Sequence, residues 1–245
     1  MTPSHPTPRT TQPPCTTAVI LAGGTGSRMG ADVPKQLLRL GARTILEHSV
    51  AAFEASPVVD EIIVMMAADH LDEARSLLAG HVKVRAVEVG GATRDASTRR
   101  ALALLDDGGL VLVHDAARPL VTQEVIARVA GALADHEAVT PAVRVADTIV
   151  EARGGVLVRQ VPRDDLWRVQ TPQGFAVATL RAAYAVAAQD PEFVTTDDAG
   201  VVARHLPGIE VAVVEGDETN LKITRPGDIT LATRLMEPEG PVTAH

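Results

Sequence analysis

Short apolar runs alternate with segments of helical spacing over the first half of the chain. Thr17–Ala22 and Glu61–Met66 are almost wholly apolar, which predicts strands buried on both faces of a sheet. In Thr44–Glu54, apolar residues recur every three or four positions, which predicts an amphipathic helix. The same patterns predict strands over Val82–Val89 and Leu110–His114, and helices over Leu71–Ala79, Asp95–Leu105 and Gln123–His136. This order predicts a parallel sheet with helices on both faces.

The alternation breaks after Ala138. Val143–Val150 and Val156–Val161 are β-branched segments joined by Glu151-Ala152-Arg153-Gly154-Gly155, which predicts a hairpin arm projecting from the sheet. Later patterns predict helices over Ala176–Gln189, Asp197–His205 and Asp228–Met236, and a strand over Glu210–Glu215. The predicted fold class is therefore α/β, a three-layer, mostly parallel, Rossmann-like sheet with a β-hairpin arm. We expect a disordered leader at 1–16, one domain over 17–238 with the arm at 143–165, and a flexible tail at 239–245.

Composition limits the class of protein. The leader is rich in Pro and Thr and lacks the apolar centre of a signal peptide, and no apolar stretch has the length of a membrane span. The single cysteine, Cys15, excludes a disulfide within the chain. A net charge of −8 without a basic cluster argues against nucleic-acid binding. We expect a cytoplasmic protein that binds neither membranes nor nucleic acid.

Lysine is rare in this chain. Of 23 basic residues only three are lysines, namely Lys35, Lys83 and Lys222. Where arginine replaces lysine so widely, a retained lysine is a candidate for a position that needs a compact ammonium group. Lys83 lies in a polar–apolar alternation and we attribute it to chance. The neighbours of Lys35 and Lys222 favour a role in binding phosphate.

A glycine-rich segment, Leu21-Ala22-Gly23-Gly24-Thr25-Gly26-Ser27-Arg28-Met29-Gly30, follows the first strand. Glycines let the backbone approach a ligand and turn its N–H groups toward phosphate oxygens. The segment is not a P-loop, because Gly30 is followed by Ala31-Asp32, and Met29 stands where a dinucleotide fingerprint requires Gly or Ala. Arg28 and Lys35 either flank a triphosphate or are two solvated surface cations.

Asp115 follows directly after the predicted strand Leu110–His114. Ligands of α/β sheets bind at the carboxyl ends of the strands, and a carboxylate there can help to hold Mg²⁺ or face ribose hydroxyls. Arg118, three residues later, either holds a substrate phosphate or pairs with Asp115. We interpret His114 as a packing residue rather than a catalytic one.

Together these motifs resemble those of the nucleotidyltransferases that make sugar nucleotides, the nucleotide-diphospho-sugar transferase type. Within that group the chain most resembles the cytidylyltransferases that act on 2-C-methyl-D-erythritol 4-phosphate, and the resemblance extends from about Thr17 to Met236. It implies that CMP is transferred from CTP to the acceptor phosphate with release of pyrophosphate, in the non-mevalonate route to isoprenoids. It also implies Mg²⁺ as cofactor.

The resemblance implies a set of site residues. It assigns catalysis to Arg28, Lys35 and Lys222, metal binding to Asp115, and nucleotide binding to Ala22, Gly23, Gly24, Thr25, Gly26, Gly90, Gly91, Ser97, Asp115 and Ala116. It assigns acceptor binding to Arg118, Thr148, Arg163, Thr171 and Thr196. Thr98, Arg99 and Arg100 depart from the family, which often has a valine after the serine and a glycine soon after.

The resemblance also implies a homodimer in which the arm carries Thr148 and Arg163 toward the acceptor site of the partner. Two other functions stay open. The same chemistry on D-ribitol 5-phosphate is suited by Asp147-Thr148-Ile149-Val150-Glu151, whereas His-Asp-Ala-Ala-Arg-Pro at 114–119 favours methylerythritol phosphate. A nucleotide-binding regulator without catalysis is the other alternative.

Overall fold

The centre of the molecule is a mixed β-sheet with helices on both faces. The computed structural model describes residues 14–24 and 34–237. The strands are β1 (Thr16–Ala22), β2 (Arg39–Leu40), β3 (Arg43–Thr44), β4 (Glu61–Met66), β5 (Val84–Val89), β6 (Leu110–Asp115), β7 (Ala138–Arg144), β8 (Ile149–Arg153), β9 (Val156–Val161), β10 (Trp167–Val169), β11 (Gln173–Ala176) and β12 (Val211–Glu215). The helices are α1 (Ile45–Glu54), α2 (Leu71–Leu78), α3 (Arg94–Leu102), α4 (Gln123–Ala132), α5 (Val177–Ala187), α6 (Asp198–His205) and α7 (Pro226–Met236).

The strand order of the main sheet is β10-β7-β11-β6-β1-β4-β5, and β12 pairs with β7. β1 pairs in parallel with β4 on one side and with β6 on the other, so the strand order reverses between β1 and β6. The register places Leu21 opposite Asp115. Because a crevice opens where the order reverses, the segment after β1 and the carboxylate after β6 share one edge of the sheet.

Alternate residues of each central strand enter two separate cores. Ile20 and Val64 pack with the helices of one face, α1, α2 and α4. Val19 and Ile63 pack with those of the other face, α3, α5 and α6. Each fully buried side chain of this size contributes about 1.5–3 kcal/mol, so the two cores stabilise the central strands whose carboxyl ends form this edge. The α/β class and the mostly parallel sheet predicted from the sequence are confirmed.

Two short strands of the main sheet were not predicted. β10 and β11 have three and four residues and join the sheet in antiparallel orientation, with β11 between β6 and β7. Such lengths are too short to show a periodicity of two. Apart from the strand over Val143–Val150, the predicted elements are present. Glu61–Met66 and Val156–Val161 have the predicted bounds, whereas other elements have shifted ends; the helix predicted to reach His136, for example, ends at Ala132.

The prediction of one strand over Val143–Val150 was wrong. Its first residues belong to β7, which is buried up to Val143 and pairs with β11 and β12 inside the sheet. The hairpin consists of β8 and β9, which lie within the predicted arm at 143–165. Its turn is Gly154-Gly155, with φ of 58° and 81°, so Glu151 to Arg153 lie in β8. Two-residue turns with positive φ match the twist of paired strands.

Most of the predicted leader and all of the predicted tail lie outside the described residues, as do Thr25, Gly26 and Arg28. Thr16, which the prediction placed in the leader, begins β1. Within residues 14–24 and 34–237, no helix combines the length and the apolarity that crossing a bilayer requires.

Candidate active site

A cavity of about 340 Å³ opens at the carboxyl ends of β1 and β6. This volume lies within the range of small-molecule binding sites. The cavity is lined by Leu21, Gly23, Gly24, Lys35, Gln36, Gly91, Ala92, Thr93, Arg94, Ser97, Asp115, Ala117 and Lys222. Three cations and one carboxylate therefore face a space that two strand ends and the start of α3 enclose.

Asp115 is the central charge of the cavity. Its Oδ1 accepts a hydrogen bond from Arg94 Nε at 3.0 Å, and its Oδ2 lies 2.7 Å from Lys222 Nζ. Burial alone would raise the pKa of this carboxyl group, but Arg94 and Lys222 hold it well below its ordinary value. Asp115 is therefore ionised at neutral pH, and each of its oxygens has a cationic partner.

The two lysines that the sequence singles out meet at this edge. Lys35 begins a short 3₁₀ helix, Lys35–Leu37, and its Nζ donates to the carbonyl oxygen of Ile223 at 3.0 Å. Lys222 precedes Ile223 in the chain and reaches into the same cavity. Lys83 instead donates to the Ser56 carbonyl, before β5 begins and away from the cavity. The separation of Lys83 from the other two lysines is confirmed.

A tight turn forms the opposite wall. The Oγ of Ser97 accepts from the Gly91 N–H at 3.0 Å and donates to the Thr93 carbonyl at 3.0 Å. A Cβ atom on Gly91 would overlap Ala96, so the close approach of the turn to α3 requires glycine here. Arg100, one of the positions that depart from the family, donates to the Gly90 carbonyl at 2.6 Å and so supports the turn from outside.

Several predicted residues support the cavity from behind and are absent from its lining. Ala22, Gly90 and Ala116 do not line it, but the Ala116 N–H donates to the Leu21 carbonyl at 3.0 Å and the Gly90 N–H to the Met66 carbonyl at 2.7 Å. Thr171 accepts a hydrogen bond from the Asp115 N–H at 3.1 Å. Arg118 donates to the carbonyls of Asn220 and Val169, at 2.7 and 3.3 Å, rather than to Asp115.

His114 is a packing residue, as predicted. It is fully buried, its ring lies 4.9 Å from that of Phe53, and its nitrogens contact the Arg118 carbonyl and the Thr171 hydroxyl. Burial lowers the pKa of His114 to about 4, so the imidazole is neutral at physiological pH.

The remaining acceptor residues of the prediction lie apart from the cavity. Thr148, Arg163 and Thr196 are exposed and do not line it. Arg163 donates to the Ala146 carbonyl at the base of the arm. The structure of one chain thus brings together Gly23, Gly24, Lys35, Gly91, Ser97, Asp115 and Lys222, but not the residues of the arm.

Comparison with known proteins agrees with the resemblance in the motifs. A family model described as IspD, 2-C-methyl-D-erythritol 4-phosphate cytidylyltransferase, matches residues 16–238. The chain belongs to this family. A 2-C-methyl-D-erythritol 4-phosphate cytidylyltransferase of Thermobifida fusca is 46% identical, with 96% of both chains covered. The protein of that name from Deinococcus radiodurans is 44% identical, with 92% of this chain and 91% of its own covered.

Solved structures of IspD proteins share the fold. The 4-diphosphocytidyl-2C-methyl-D-erythritol synthase of Anaerococcus prevotii superposes with a TM-score of 0.81 at 30% identity, covering 92% of this chain and 97% of its own. The cytidylyltransferase of Thermus thermophilus has a TM-score of 0.73 at 37% identity and covers 89% of this chain and 96% of its own.

Three polar residues of this IspD-family chain were not among the predicted site residues. Gln36 is buried, and its amide donates to the carbonyls of Gly24, at 2.8 Å, and Ala22, which pins the start of the glycine-rich segment. Arg94 contacts Asp115, and Asp198 contacts Arg94. An arginine between Gly-Gly and a serine was a visible signal for Arg94. Gln36 follows Lys35 and Asp198 lies two residues after Thr196, but the sequence did not indicate their roles, because their partners are distant in sequence or are backbone atoms.

The side chains of the cavity could hold a magnesium ion only together with the phosphates of a bound nucleotide. Within the described residues, no three His, Cys, Asp or Glu side chains form a group that could hold a metal. Asp115 supplies one carboxylate to the cavity, and its Oδ2 is bound by a lysine whose side chain is 38% exposed. Mg²⁺ commonly binds through one carboxylate together with waters and substrate phosphates. The residues therefore fit an ion that is completed by a nucleotide's phosphates.

Proposed function

We propose that this chain transfers the CMP group of CTP to 2-C-methyl-D-erythritol 4-phosphate and releases pyrophosphate. The observation that carries the proposal is the convergence of Lys35, Lys222 and Asp115 with the Gly91–Ser97 turn around one cavity. Membership of the IspD family supports CTP as the nucleotide and 2-C-methyl-D-erythritol 4-phosphate as the acceptor. A regulator without catalysis would use the same lysines to bind phosphate, so measurement of pyrophosphate release distinguishes the two functions.

In the proposed reaction, an oxygen of the acceptor phosphate attacks the α-phosphorus of CTP, and the bond to the β-phosphate breaks. The pyrophosphate leaves with the bonding electron pair. A phosphate monoester is already anionic near neutral pH, so the reaction requires no strong general base. The main barrier is the repulsion between two anions, together with the charge that develops on the transferred group.

The side chains of the cavity act on this barrier by position and charge. Lys35 and Lys222 would neutralise phosphate oxygens, and preorganised cations in a partly dehydrated cavity are effective because they need no reorganisation during the reaction. Arg28 would add a third cation in this proposal, although it lies outside the described residues. The Gly91–Ser97 turn would hold the cytosine base, because Gly91 and Ser97 line the cavity.

We include Mg²⁺ in the proposal, with Asp115 as its protein ligand. When bound, the ion would neutralise charge on the phosphates. Lys222 would then move from Asp115 Oδ2 to a phosphate oxygen, an exchange that its half-exposed, flexible side chain permits.

The proposal also includes a homodimer and a cytoplasmic location. Val156, Leu157 and Val158 on the arm are 68, 62 and 51% exposed, an apolar surface that a second copy could cover. In a dimer, Thr148 and Arg163 would approach the acceptor site of the partner. The single cysteine, which allows no disulfide within the chain, supports a reducing compartment.

The test is to incubate the purified protein with CTP and Mg²⁺ and measure pyrophosphate release with each of two acceptors. We expect release with 2-C-methyl-D-erythritol 4-phosphate, and the product should contain one CMP per acceptor by mass spectrometry. UTP and ATP serve as nucleotide controls. Faster release with D-ribitol 5-phosphate would replace the acceptor, whereas CTP binding without release for either acceptor would contradict the enzymatic function.

A further inference from the structure

A buried carboxylate, Asp198, lies behind the candidate active site and outside the lining of its cavity. It is the first residue of α6 and has no exposed surface. Its Oδ1 accepts a hydrogen bond from the Tyr184 hydroxyl at 2.5 Å, and its backbone N–H donates to Gln173 Oε1 at 2.9 Å. Burying a carboxylate is costly unless such partners compensate for the loss of water. The protein therefore keeps a charge here that must be balanced by a cation.

Arg94 is that cation, and it connects Asp198 to the cavity. Its Nη1 donates to Asp198 Oδ2 at 2.6 Å, and its Nε donates to Asp115 Oδ1 at 3.0 Å. Because a guanidinium group is planar and its donors have a fixed geometry, fixing one end fixes the direction of the other. The Asp198 and Asp115 carboxylates raise the pKa of Arg94 against the effect of burial, so it stays charged.

The two oxygens of Asp115 consequently have different partners. Oδ1 is held by Arg94, whose side chain is 22% exposed and whose other end is fixed on a fully buried residue. Oδ2 is held by Lys222, whose side chain is 38% exposed and has a single flexible ammonium group. An anion that enters the cavity can attract Lys222 without disturbing the bond between Arg94 and Oδ1.

We propose that Asp198, held by Tyr184, is a positioning residue that anchors Arg94 and thereby keeps Asp115 Oδ2 available for exchange of Lys222 during turnover. The proposal rests on the proposed function and concerns the same site. Without the negative charge of Asp198, the only carboxylate partner of Arg94 among the described residues would be Asp115. Arg94 would then move toward Asp115 and compete with Lys222 for its second oxygen.

The test compares wild type with Asp198→Asn and Tyr184→Phe. We expect Asp198→Asn, which has the same shape but no charge, to lower kcat about 10- to 100-fold, because small displacements of a catalytic group have effects of this size. The KM for CTP should change by less than about threefold, since Asp198 does not reach the cavity and both lysines remain. Tyr184→Phe removes one hydrogen bond and keeps the charge, so kcat should fall by only about two- to fivefold.

A matched control is Arg181→Met, on the same helix as Tyr184. Arg181 donates to the carbonyls of Leu102 and Leu105 at 2.7 and 2.9 Å, so its loss weakens the packing of α5 on α3 without affecting Asp198. We expect Arg181→Met to lower Tm and leave kcat unchanged. An equal fall in kcat for Arg181→Met and Asp198→Asn at similar Tm would overturn the proposal, as would a rise in KM with unchanged kcat in Asp198→Asn.

Two further results would each have a definite meaning. If Asp198→Asn does not fold, Tyr184→Phe decides the question, and an unchanged kcat in that variant contradicts the proposal. If wild type releases no pyrophosphate with either acceptor, the proposed function fails. A fully active wild type together with a fully active Asp198→Asn variant overturns only the role of Asp198.

Discussion

The candidate active site and the hairpin arm differ in what surrounds their side chains: charges are paired across the fold at the site, whereas apolar side chains are exposed on the arm. At the site, the charges of Asp115 are balanced by Arg94 and Lys222 from distant parts of the chain. On the arm, Val156 and Leu157 are more than half exposed. The arm contains ion pairs only between close neighbours, such as Glu151 with Arg153 and Arg159.

The difference shows which parts of the proposed function one chain can provide. The carboxyl edge of the sheet brings a nucleotide-sized cavity and its cations together without help. The arm holds its apolar surface and Thr148 away from that cavity, so its contribution depends on a second molecule. Variants at the site should therefore act on turnover at any protein concentration, whereas variants on the arm should act through association.

The largest expected effect is at the site. We expect Lys222→Ala to lower kcat about 10²- to 10³-fold, because it removes one preorganised cation from the developing charge. Lys35→Ala should behave in the same way. The matched control is Lys83→Ala at the opposite edge of the sheet, which should retain the kcat of wild type under steady-state assay. Equal kcat values for Lys222→Ala and Lys83→Ala would contradict the proposal that Lys222 contributes to catalysis.

The second expected effect concerns the buried His114 and the dependence of the free energy of unfolding on pH. The pKa of His114 in the folded chain is about 4, below its ordinary value of 6.5, so between these values the unfolded chain binds a proton that the folded chain does not. The stabilisation is complete above pH 6.5 and is lost as the pH falls toward 4, by about 3 kcal/mol in total. We expect the free energy of unfolding in urea to decrease over this window in wild type.

His114→Gln removes the titrating group and should flatten that decrease, even if it lowers stability at neutral pH by lost packing against Phe53. His136→Gln, at an exposed position, is the control and should keep the wild-type slope. A slope for His114→Gln as steep as that of wild type would show that other groups cause the loss.

The third effect tests the arm. Leu157→Glu introduces a charge into the exposed apolar surface of β9, and in a symmetric dimer both copies carry the change. We expect the dissociation constant of the dimer to rise about 30- to 100-fold by analytical ultracentrifugation, with turnover restored at high protein concentration. Gln160→Glu on the same strand, which adds the same charge at an exposed polar position, should have less effect. A monomeric wild type would contradict the proposed role of the arm.

The sequence predicted the site better than the arm for a physical reason. Gly91 and Asp115 lie at the ends of parallel strands whose apolar runs are plain, and parallel strands align their carboxyl ends. The boundary at Arg144 depends on which segment pairs with the short strands β10 and β11, and such pairing leaves no periodic signal. The role of Asp198 was not predicted for a similar reason, because it depends on a contact with Arg94 across the fold.

The smallest expected effect separates binding from catalysis within the site. Ser97→Ala removes the hydroxyl that accepts the Gly91 N–H and so loosens the turn without removing a charge. We expect the KM for CTP to rise about three- to tenfold with kcat nearly unchanged, in keeping with the loss of one hydrogen bond. Ser56→Ala is the control, since Ser56 is equally buried at the other edge of the sheet. A fall in kcat in Ser97→Ala without a change in KM would show that the turn contributes to the chemical step rather than to nucleotide binding.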